Sequence, residues 1–292
     1  MSNHHILNRF FSKATLLEII NNENNSCYGE IIKRYSLDET GTNQELLSSI
    51  YSILSKQYRN EYFYKNSLLN KLIINKHKLY STKVLTEFSI GKSIADFVTL
   101  NGDARVYEIK TELDNLERIE SQIEDYYKCF PYVCVVTCKT HLEKIKRLFK
   151  NTSVGIYYFS DRNALKPIQE PAPNYGALDY EVMFKVLRKY EFEQVIQDYY
   201  QMLPNTTQFK YYGECFDLFN KIDKNILYKK ILSVLKNRCS IEIEQFEKVP
   251  IELKMLVYQA KLGKSQYDKL YKFLDSTYIN QGAINVFSVS ER

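Results

Sequence analysis

The stretch that decides the fold runs from Thr86 to Asp114 and reads TEFSIGKSIADFVTLNGDARVYEIKTELD. It holds two apolar runs separated by the letters NGD, which predict two strands joined by a tight hairpin turn. The first run carries Asp96, and the second carries Glu108 and Lys110. A charged side chain inside a core strand costs free energy unless a partner neutralises it. The stretch therefore predicts a site built from these three side chains.

The chemistry of that site follows from strand geometry. Residues two apart in a strand share a face, so Glu108 and Lys110 point the same way. The hairpin brings Asp96 beside Glu108, and two close carboxylates repel each other unless a cation neutralises them. Oxygen ligands favour Mg²⁺ or Mn²⁺, and such a cation can lower the pKa of water and stabilise charge on a phosphate. We expect metal-dependent phosphodiester hydrolysis; the alternative is a solvated hairpin with an incidental Glu–Lys pair.

The same periodicity extends outward from the hairpin. Apolar residues three and four apart predict helices, and alternating or continuous short apolar runs predict strands. The resulting order βββαβαβ predicts an α/β fold with a mixed β-sheet core flanked by helices. The predicted segments of the core are helix 59–75, strands 83–90, 93–100 and 104–110, helix 115–130, strand 132–137, helix 140–151 and strand 154–160.

The flanks of this core are helical in pattern. We expect an all-α N-terminal extension at 1–58, the core at 59–165, a proline-containing linker at 166–179 and an all-α C-terminal domain at 180–292. Within helix 59–75, Glu61 shares a stripe with Tyr64, Leu68 and Leu72, so it is an acid on an otherwise apolar face.

Composition sets broad limits on location and partners. The net charge of +5 permits binding to a polyanion without arguing for it. Six cysteines include no CxxC pair, so we expect small buried thiols rather than a zinc site, although Cys134, Cys138 and His141 lie close in sequence. The N-terminal segment lacks a signal-peptide pattern, and no apolar run is long enough to cross a membrane. A cytoplasmic protein without membrane contact is expected.

The residues IADFVTLNGDARVYEIK, at positions 94–110, resemble the core motif of the PD-(D/E)XK nuclease superfamily, whose members have a restriction-endonuclease-like fold. Segments 58–72, 86–102 and 107–130 resemble a bacterial subfamily of that superfamily. One departure is Ala95, which stands where the name-giving proline would be. The resemblance covers about residues 59 to 160 and leaves the terminal helices outside it.

The resemblance implies roles for individual residues. Asp96 and Glu108 would bind the metal together with the carbonyl oxygen of Ile109, and Lys110 would be catalytic. Glu61 matches an acid on the preceding helix that supports the metal, and Glu87 is the second choice for that third acid.

The helix after the hairpin offers further candidates. Gln122 and Tyr126 match a QxxxY arrangement that some members carry, with Gln122 expected at the catalytic centre. Arg118, Gln122 and Tyr126 are four apart and form one stripe on that helix. Arg118, Tyr126 and Lys92 are candidates for substrate binding.

The expected function is that of a Mg²⁺- or Mn²⁺-dependent nuclease acting on DNA, in the settings where the superfamily is common: phage defence, restriction and mobile elements. Cleavage of both strands of a duplex would call for a homodimer. The alternative is a non-catalytic nucleic-acid-binding or scaffold protein on the same fold, whose helical regions bind a protein partner.

Overall fold

The structure is a computed structural model that describes residues 5–21, 26–76 and 79–278. It divides into two compact units. The first contains the described residues of Met1–Leu72 and Ile241–Arg292, and the second contains those of Ile73–Ser240. The predicted site hairpin and the helix that follows it lie in the second unit.

The second unit is built on a six-stranded mixed sheet, counted over the described residues, with its strands in the spatial order in which they occur along the chain. Three of its five strand pairings are antiparallel, and β3–β4 and β4–β5 are parallel. The strands are β1 (Lys83–Ile90), β2 (Ser93–Asn101), β3 (Asp103–Lys110), β4 (Tyr132–Thr137), β5 (Gly155–Phe159) and β6 (Leu165–Gln169).

The helices of the described residues precede, interrupt and follow the sheet. They are α1 (His5–Phe10), α2 (Lys13–Ile20), α3 (Ser26–Arg34), α4 (Asn43–Gln57), α5 (Glu61–Leu72), α6 (Ile119–Tyr127), α7 (Lys139–Leu148), α8 (Tyr180–Lys185), α9 (Lys189–Tyr200), α10 (Gln208–Phe219), α11 (Lys224–Lys236), α12 (Ile243–Lys248), α13 (Lys254–Ala260) and α14 (Lys264–Asp275).

The α/β class with a mixed sheet is confirmed, and β1 to β5 lie at the predicted positions within one residue at each end. The predicted order βββαβαβ is incomplete, because β6 adds a sixth strand that begins at Leu165, the last residue of the predicted core, and continues into the segment expected to be a linker. Pro167 made that segment look like a loop. Proline is tolerated there because, in the part of the chain that the structure describes, β6 is an edge strand that pairs only with β5. A missing N–H on the open side of an edge strand removes no hydrogen bond of the sheet.

One face of the sheet carries the apolar core of the second unit. Val98, Val106, Val133, Val135 and Ile156 contribute to a single cluster of buried residues. Helices α6 to α11 add their apolar stripes to the same cluster, including Ile123 of α6 and Ile145 of α7. This packing fixes α6 against the face that carries the predicted site residues.

The first unit combines helices from the early part of the sequence with the last helices that the structure describes. Asn66 of α5 is fully buried, donates its side-chain amide to the Ile251 carbonyl at 2.9 Å and accepts the Met255 N–H at 2.9 Å. Asn43 at the start of α4 donates to the carbonyls of Phe273 and Ser276, each at 3.0 Å. These bonds tie α4 and α5 to the last helices, a grouping that differs from the four consecutive segments expected from the sequence.

Two expectations from composition can be compared with the structure. All six cysteines are free thiols and buried, as predicted. Among the described residues, no helix is both long and apolar enough to span a membrane.

A buried ion pair links the helices of the second unit. Arg238 donates from Nε to Oε1 of Glu191 at 2.5 Å, pairs through Nη2 with Oε2, and reaches the Val186 carbonyl at 2.8 Å. The guanidinium also lies over the ring of Phe88 in β1, 5.4 Å from its centroid. Burial raises the pKa of Glu191, but the hydrogen bonds and charge of Arg238, with the Arg188 N–H, outweigh it and leave that pKa below its ordinary value.

We predict that Arg238→Ala lowers the free energy of unfolding by about 3 kcal/mol or more, because it leaves a buried carboxylate without its partner. Urea unfolding at neutral pH measures this, and Arg162→Ala, which removes an exposed arginine, is the control.

The same pair predicts a pH dependence. Since the pKa of Glu191 is lowered in the folded state, the contribution of Glu191 to the free energy of unfolding is complete above the unfolded pKa of 4.5 and is lost as the pH falls below it. The advantage of the native protein over Glu191→Gln should therefore shrink in acid; an unchanged difference would contradict this.

Candidate active site

The site forms where β2 and β3 separate. Their ladder pairs Val98 with Val106 and ends at Phe97 with Tyr107, one residue before Asp96 and Glu108 would face each other. Beyond that point the Asp96 carboxylate takes the place of the β2 backbone, because its Oδ2 accepts the N–H of Ile109 at 2.7 Å. In a strand the N–H and C=O of one residue leave on the same side, so the Ile109 carbonyl also faces β2.

Glu108 and Lys110 form a buried pair at the end of β3. Glu108 is 2 % exposed, and its Oε1 accepts a hydrogen bond from Lys110 Nζ at 2.7 Å. The ammonium also donates to Gln122 Oε1 at 3.0 Å. Lys110 is therefore held from two sides, by its own strand and by α6.

Tyr126 closes this network on the side of α6. Its hydroxyl lies 2.6 Å from Glu108 Oε2 and 2.8 Å from the carbonyl of Ile94, and it also has a side-chain hydrogen bond with Gln122. Burial raises the pKa of Tyr126 most, and the negative charge of Glu108 raises it further. The phenol thus stays protonated and acts as a donor that steadies Glu108. Gln122 and Tyr126 thus lie on the side of α6 that faces Lys110 and Glu108, and their roles in a site stay predictions.

Glu87 lies opposite Asp96 on β1. The β1–β2 register, which pairs Thr86 with Phe97 and Phe88 with Ala95, skips this position. Glu87 has φ +51°, a left-handed conformation that is uncommon for a residue with a side chain and strained in a strand. Carboxylate oxygens of Glu87 and Asp96 lie within 4.8 Å of each other.

The left-handed conformation of Glu87 changes which side chains of β1 face the apolar cluster. Leu85 and Phe88 are three apart and would face opposite sides of a regular strand, yet both belong to the same apolar cluster. Ala95 and Val98 of β2 repeat this pattern. The chain therefore reverses faces at Glu87 and Asp96, which frees both carboxylates from the alternation that would turn them toward the core with Leu85 and Val98.

The remaining candidates lie around this centre or in the other unit. Arg118 is exposed and directly precedes α6, and Lys92 is exposed in the turn between β1 and β2. Glu61 belongs to the first unit, where it is exposed at the start of α5 and forms an ion pair with Lys65. The carboxyl group of Glu61 is thus not buried as its stripe suggested, and its part in a metal site stays a prediction.

One supporting residue was missed by sequence reasoning. Asp125 of α6 accepts the N–H of Lys92 at 3.1 Å and the hydroxyl of Ser93 at 2.8 Å through Oδ2, and pairs with Lys128 through Oδ1. It therefore fastens the β1–β2 turn, where Gly91 has φ +61°, to the helix that carries Tyr126. The only sequence signal for it is an acid next to Tyr126 on the flank of an amphipathic helix.

The donor set of the centre fits a hard divalent cation. Asp96 and Glu87 offer carboxylate oxygens within 4.8 Å of each other, and the Ile109 carbonyl faces β2 next to Asp96, which is the ligand chemistry that Mg²⁺ and Mn²⁺ prefer. Glu108 follows on β3, where its carboxylate is bound by Lys110 and Tyr126. Each carboxylate oxygen has more than one acceptor site, so the bonds from Ile109, Lys110 and Tyr126 leave Asp96 and Glu108 with capacity to bind a cation.

Comparison with known proteins relates the chain to a described family. A family described as Bacteriophage P4 protein cII matches residues 55–258, more than half of the chain. No curated protein and no solved structure matches the chain significantly. The matched range contains all of the candidate site residues, from Glu61 to Tyr126.

We predict that the strain at Glu87 can be measured by substitution. A left-handed conformation costs a residue with a Cβ about 1–2 kcal/mol and costs glycine little, so Glu87→Gly should hold or raise the free energy of unfolding, whereas Glu87→Val should lower it. The order should reverse at Ser89, an exposed residue of the same strand, where glycine weakens a regular strand and valine suits it. Urea unfolding of the four variants tests this, and a loss of stability with glycine at both positions would contradict it.

Proposed function

We propose that this chain, which belongs to the Bacteriophage P4 protein cII family, is a metal-dependent nuclease that hydrolyses phosphodiester bonds in DNA. The observation that carries the proposal is the arrangement of Asp96, Glu108 and Lys110 at the separating ends of two adjacent strands. A ligand between the strand ends would meet two carboxylates and an ammonium together.

The surrounding network favours a chemical role over a structural one. A buried ion pair adds little stability compared with apolar side chains of the same volume. Here the pair of Glu108 and Lys110 is also bound by Gln122 and Tyr126, so four polar side chains are arranged around one point at the edge of the core. Such precise positioning is what a reacting group needs, because small displacements reduce rates strongly.

The cation of this proposal would be held by Asp96, Glu108 and the Ile109 carbonyl, with Glu87 as a further acid. When bound, it would supply a water of lowered pKa and neutralise charge on the phosphate.

The other roles belong to side chains of the chain itself. Lys110, fixed by Glu108 and Gln122, orients the attacking water or stabilises the negative charge that develops on the phosphate. Tyr126 keeps the Glu108 carboxylate in place as a protonated donor. Arg118 and Lys92, both exposed, are suited to contact phosphates of the substrate backbone.

DNA is the substrate that the superfamily resemblance and the family name together favour. The matching family is named for a protein of a bacteriophage, and enzymes that cut DNA are common in mobile elements and in the defences against them. The net charge of +5 is compatible with a polyanionic substrate.

We predict metal-dependent cleavage that requires both Asp96 and Lys110. Supercoiled plasmid, linear duplex, single-stranded DNA, branched DNA and RNA would be incubated with Mg²⁺, Mn²⁺ or EDTA. Asp96→Asn and Lys110→Met should each lower the cleavage rate by at least about 100-fold, because each removes a group needed in the transition state. Lys166→Met, which removes an exposed lysine on the edge strand β6, is the matched control and should cleave normally.

Two results would contradict this prediction. One is equal cleavage by all variants, which would identify a contaminating nuclease or a different site. The other is no cleavage by the unmodified protein with any cation. If nucleic acid still binds in that case, a non-catalytic binding protein on the same fold becomes the better account.

A further inference from the structure

Thr137 lies beside the proposed centre, on the strand next to Lys110. It is the last residue of β4, and it is the register partner of Lys110, the last residue of β3. Register partners on adjacent strands face the same side and lie about 5 Å apart. The side chain of Thr137 therefore stands next to that of Lys110, on the face that carries Glu108.

The hydroxyl of Thr137 is buried and has no partner within the described part of the chain. The residue is 0 % exposed, and its Oγ1 has no hydrogen-bond partner among the described residues. A buried hydroxyl without a hydrogen bond lowers stability, so its presence calls for an explanation. Thr111, the neighbour of Lys110 along the chain, differs in this respect: its hydroxyl donates to Asp114 at 2.7 Å and accepts the Leu113 N–H at 3.1 Å.

The hydrogen-bond inventory of Lys110 suggests that explanation. An ammonium has three N–H donors, and two of them are directed to Glu108 Oε1 and Gln122 Oε1. A cation held by Glu108 would compete with the ammonium for that carboxylate and would repel its positive charge. Lys110 would then need another acceptor to stay in place, and the Thr137 oxygen is adjacent and unused.

We propose that Thr137 is a positioning residue whose hydroxyl accepts a hydrogen bond from Lys110 when Glu108 binds the cation. This inference rests on the proposed function, and it adds a residue that neither the motif nor the visible network contains. Because Thr137 is fully buried, it acts on the substrate only through Lys110. Its unpaired state in the present structure is the cost of keeping an acceptor ready.

Three substitutions separate this role from packing. Thr137→Val removes the hydroxyl and nearly keeps the shape, and Thr137→Ser keeps the hydroxyl and removes a methyl group. Thr82→Val is the matched control, because Thr82 is also buried with an unpaired hydroxyl among the described residues. It directly precedes β1, at the end that pairs with Leu100, four residues along β2 from Asp96.

The experiment titrates Mn²⁺ alone into each full-length variant by calorimetry, and separately measures kcat and KM on the preferred substrate. We expect Thr137→Val to weaken Mn²⁺ binding and lower kcat by about 10-fold, the size typical of residues that support metal ligands, with KM unchanged. Thr137→Ser should remain close to the unmodified protein. Thermal unfolding without cation should show both valine variants more stable, because each loses an unpaired buried hydroxyl.

The inference is overturned if Thr137→Val matches Thr82→Val in Mn²⁺ affinity and in kcat, or if Thr137→Ser is as impaired as Thr137→Val, which would indicate packing. Failure of the proposed function is visible separately, in the unmodified protein. If that protein neither binds Mn²⁺ nor cleaves any substrate, both ideas fall; if it does both and Thr137→Val behaves normally, only the role of Thr137 falls.

Discussion

The hydrogen bond from the Ile109 N–H to the Asp96 carboxylate is the interaction on which the site depends. In a continuous antiparallel ladder a main-chain group of β2 would accept that N–H, and no space would remain between the strands. Here a side chain accepts it, so the strands separate while a buried main-chain donor stays satisfied. The Asp96 carboxylate is thereby fixed at the end of β3, against the residue that follows Glu108.

The site also depends on the position of α6, which must be fixed relative to the separated ends of β2 and β3. Its apolar stripe alone would allow some sliding, because apolar contacts are not directional. Two consecutive residues remove that freedom. Asp125 accepts hydrogen bonds from the turn at Lys92 and Ser93, and the hydroxyl of Tyr126, which has one proton for two acceptors, lies 2.8 Å from the Ile94 carbonyl and 2.6 Å from Glu108 Oε2. Gln122 of the same helix contacts Lys110, and Tyr126 contacts Glu108. The helix therefore fixes the two side chains at the end of β3 relative to the β1–β2 turn.

Sequence patterns predicted the features that depend on periodicity. The apolar core imposes a period of two on strands and of about four on helices. The period of two predicted β1 to β5 and the shared face of Glu108 and Lys110, and the spacing of four predicted the shared stripe of Gln122 and Tyr126. Features that depend on a single local contact were not predictable. The sixth strand was hidden by Pro167, whose tolerance depends on the strand lying at an edge. The joining of the chain ends depends on Asn66 and Asn43, polar residues whose distant partners leave no periodic signal.

The left-handed backbone conformation of Glu87 serves both the packing of the core and the position of a carboxylate. Reversal of faces at this residue costs about 1–2 kcal/mol of backbone strain. The reversal places Phe88 in the core, where it is 7 % exposed and lies under Arg238, and full burial of such a side chain contributes about 1.5–3 kcal/mol. Packing therefore accounts for the conformation, but not for the choice of residue, because glycine would adopt it with less strain. A glutamate at this position is better explained by its carboxylate, which the same conformation brings within 4.8 Å of that of Asp96.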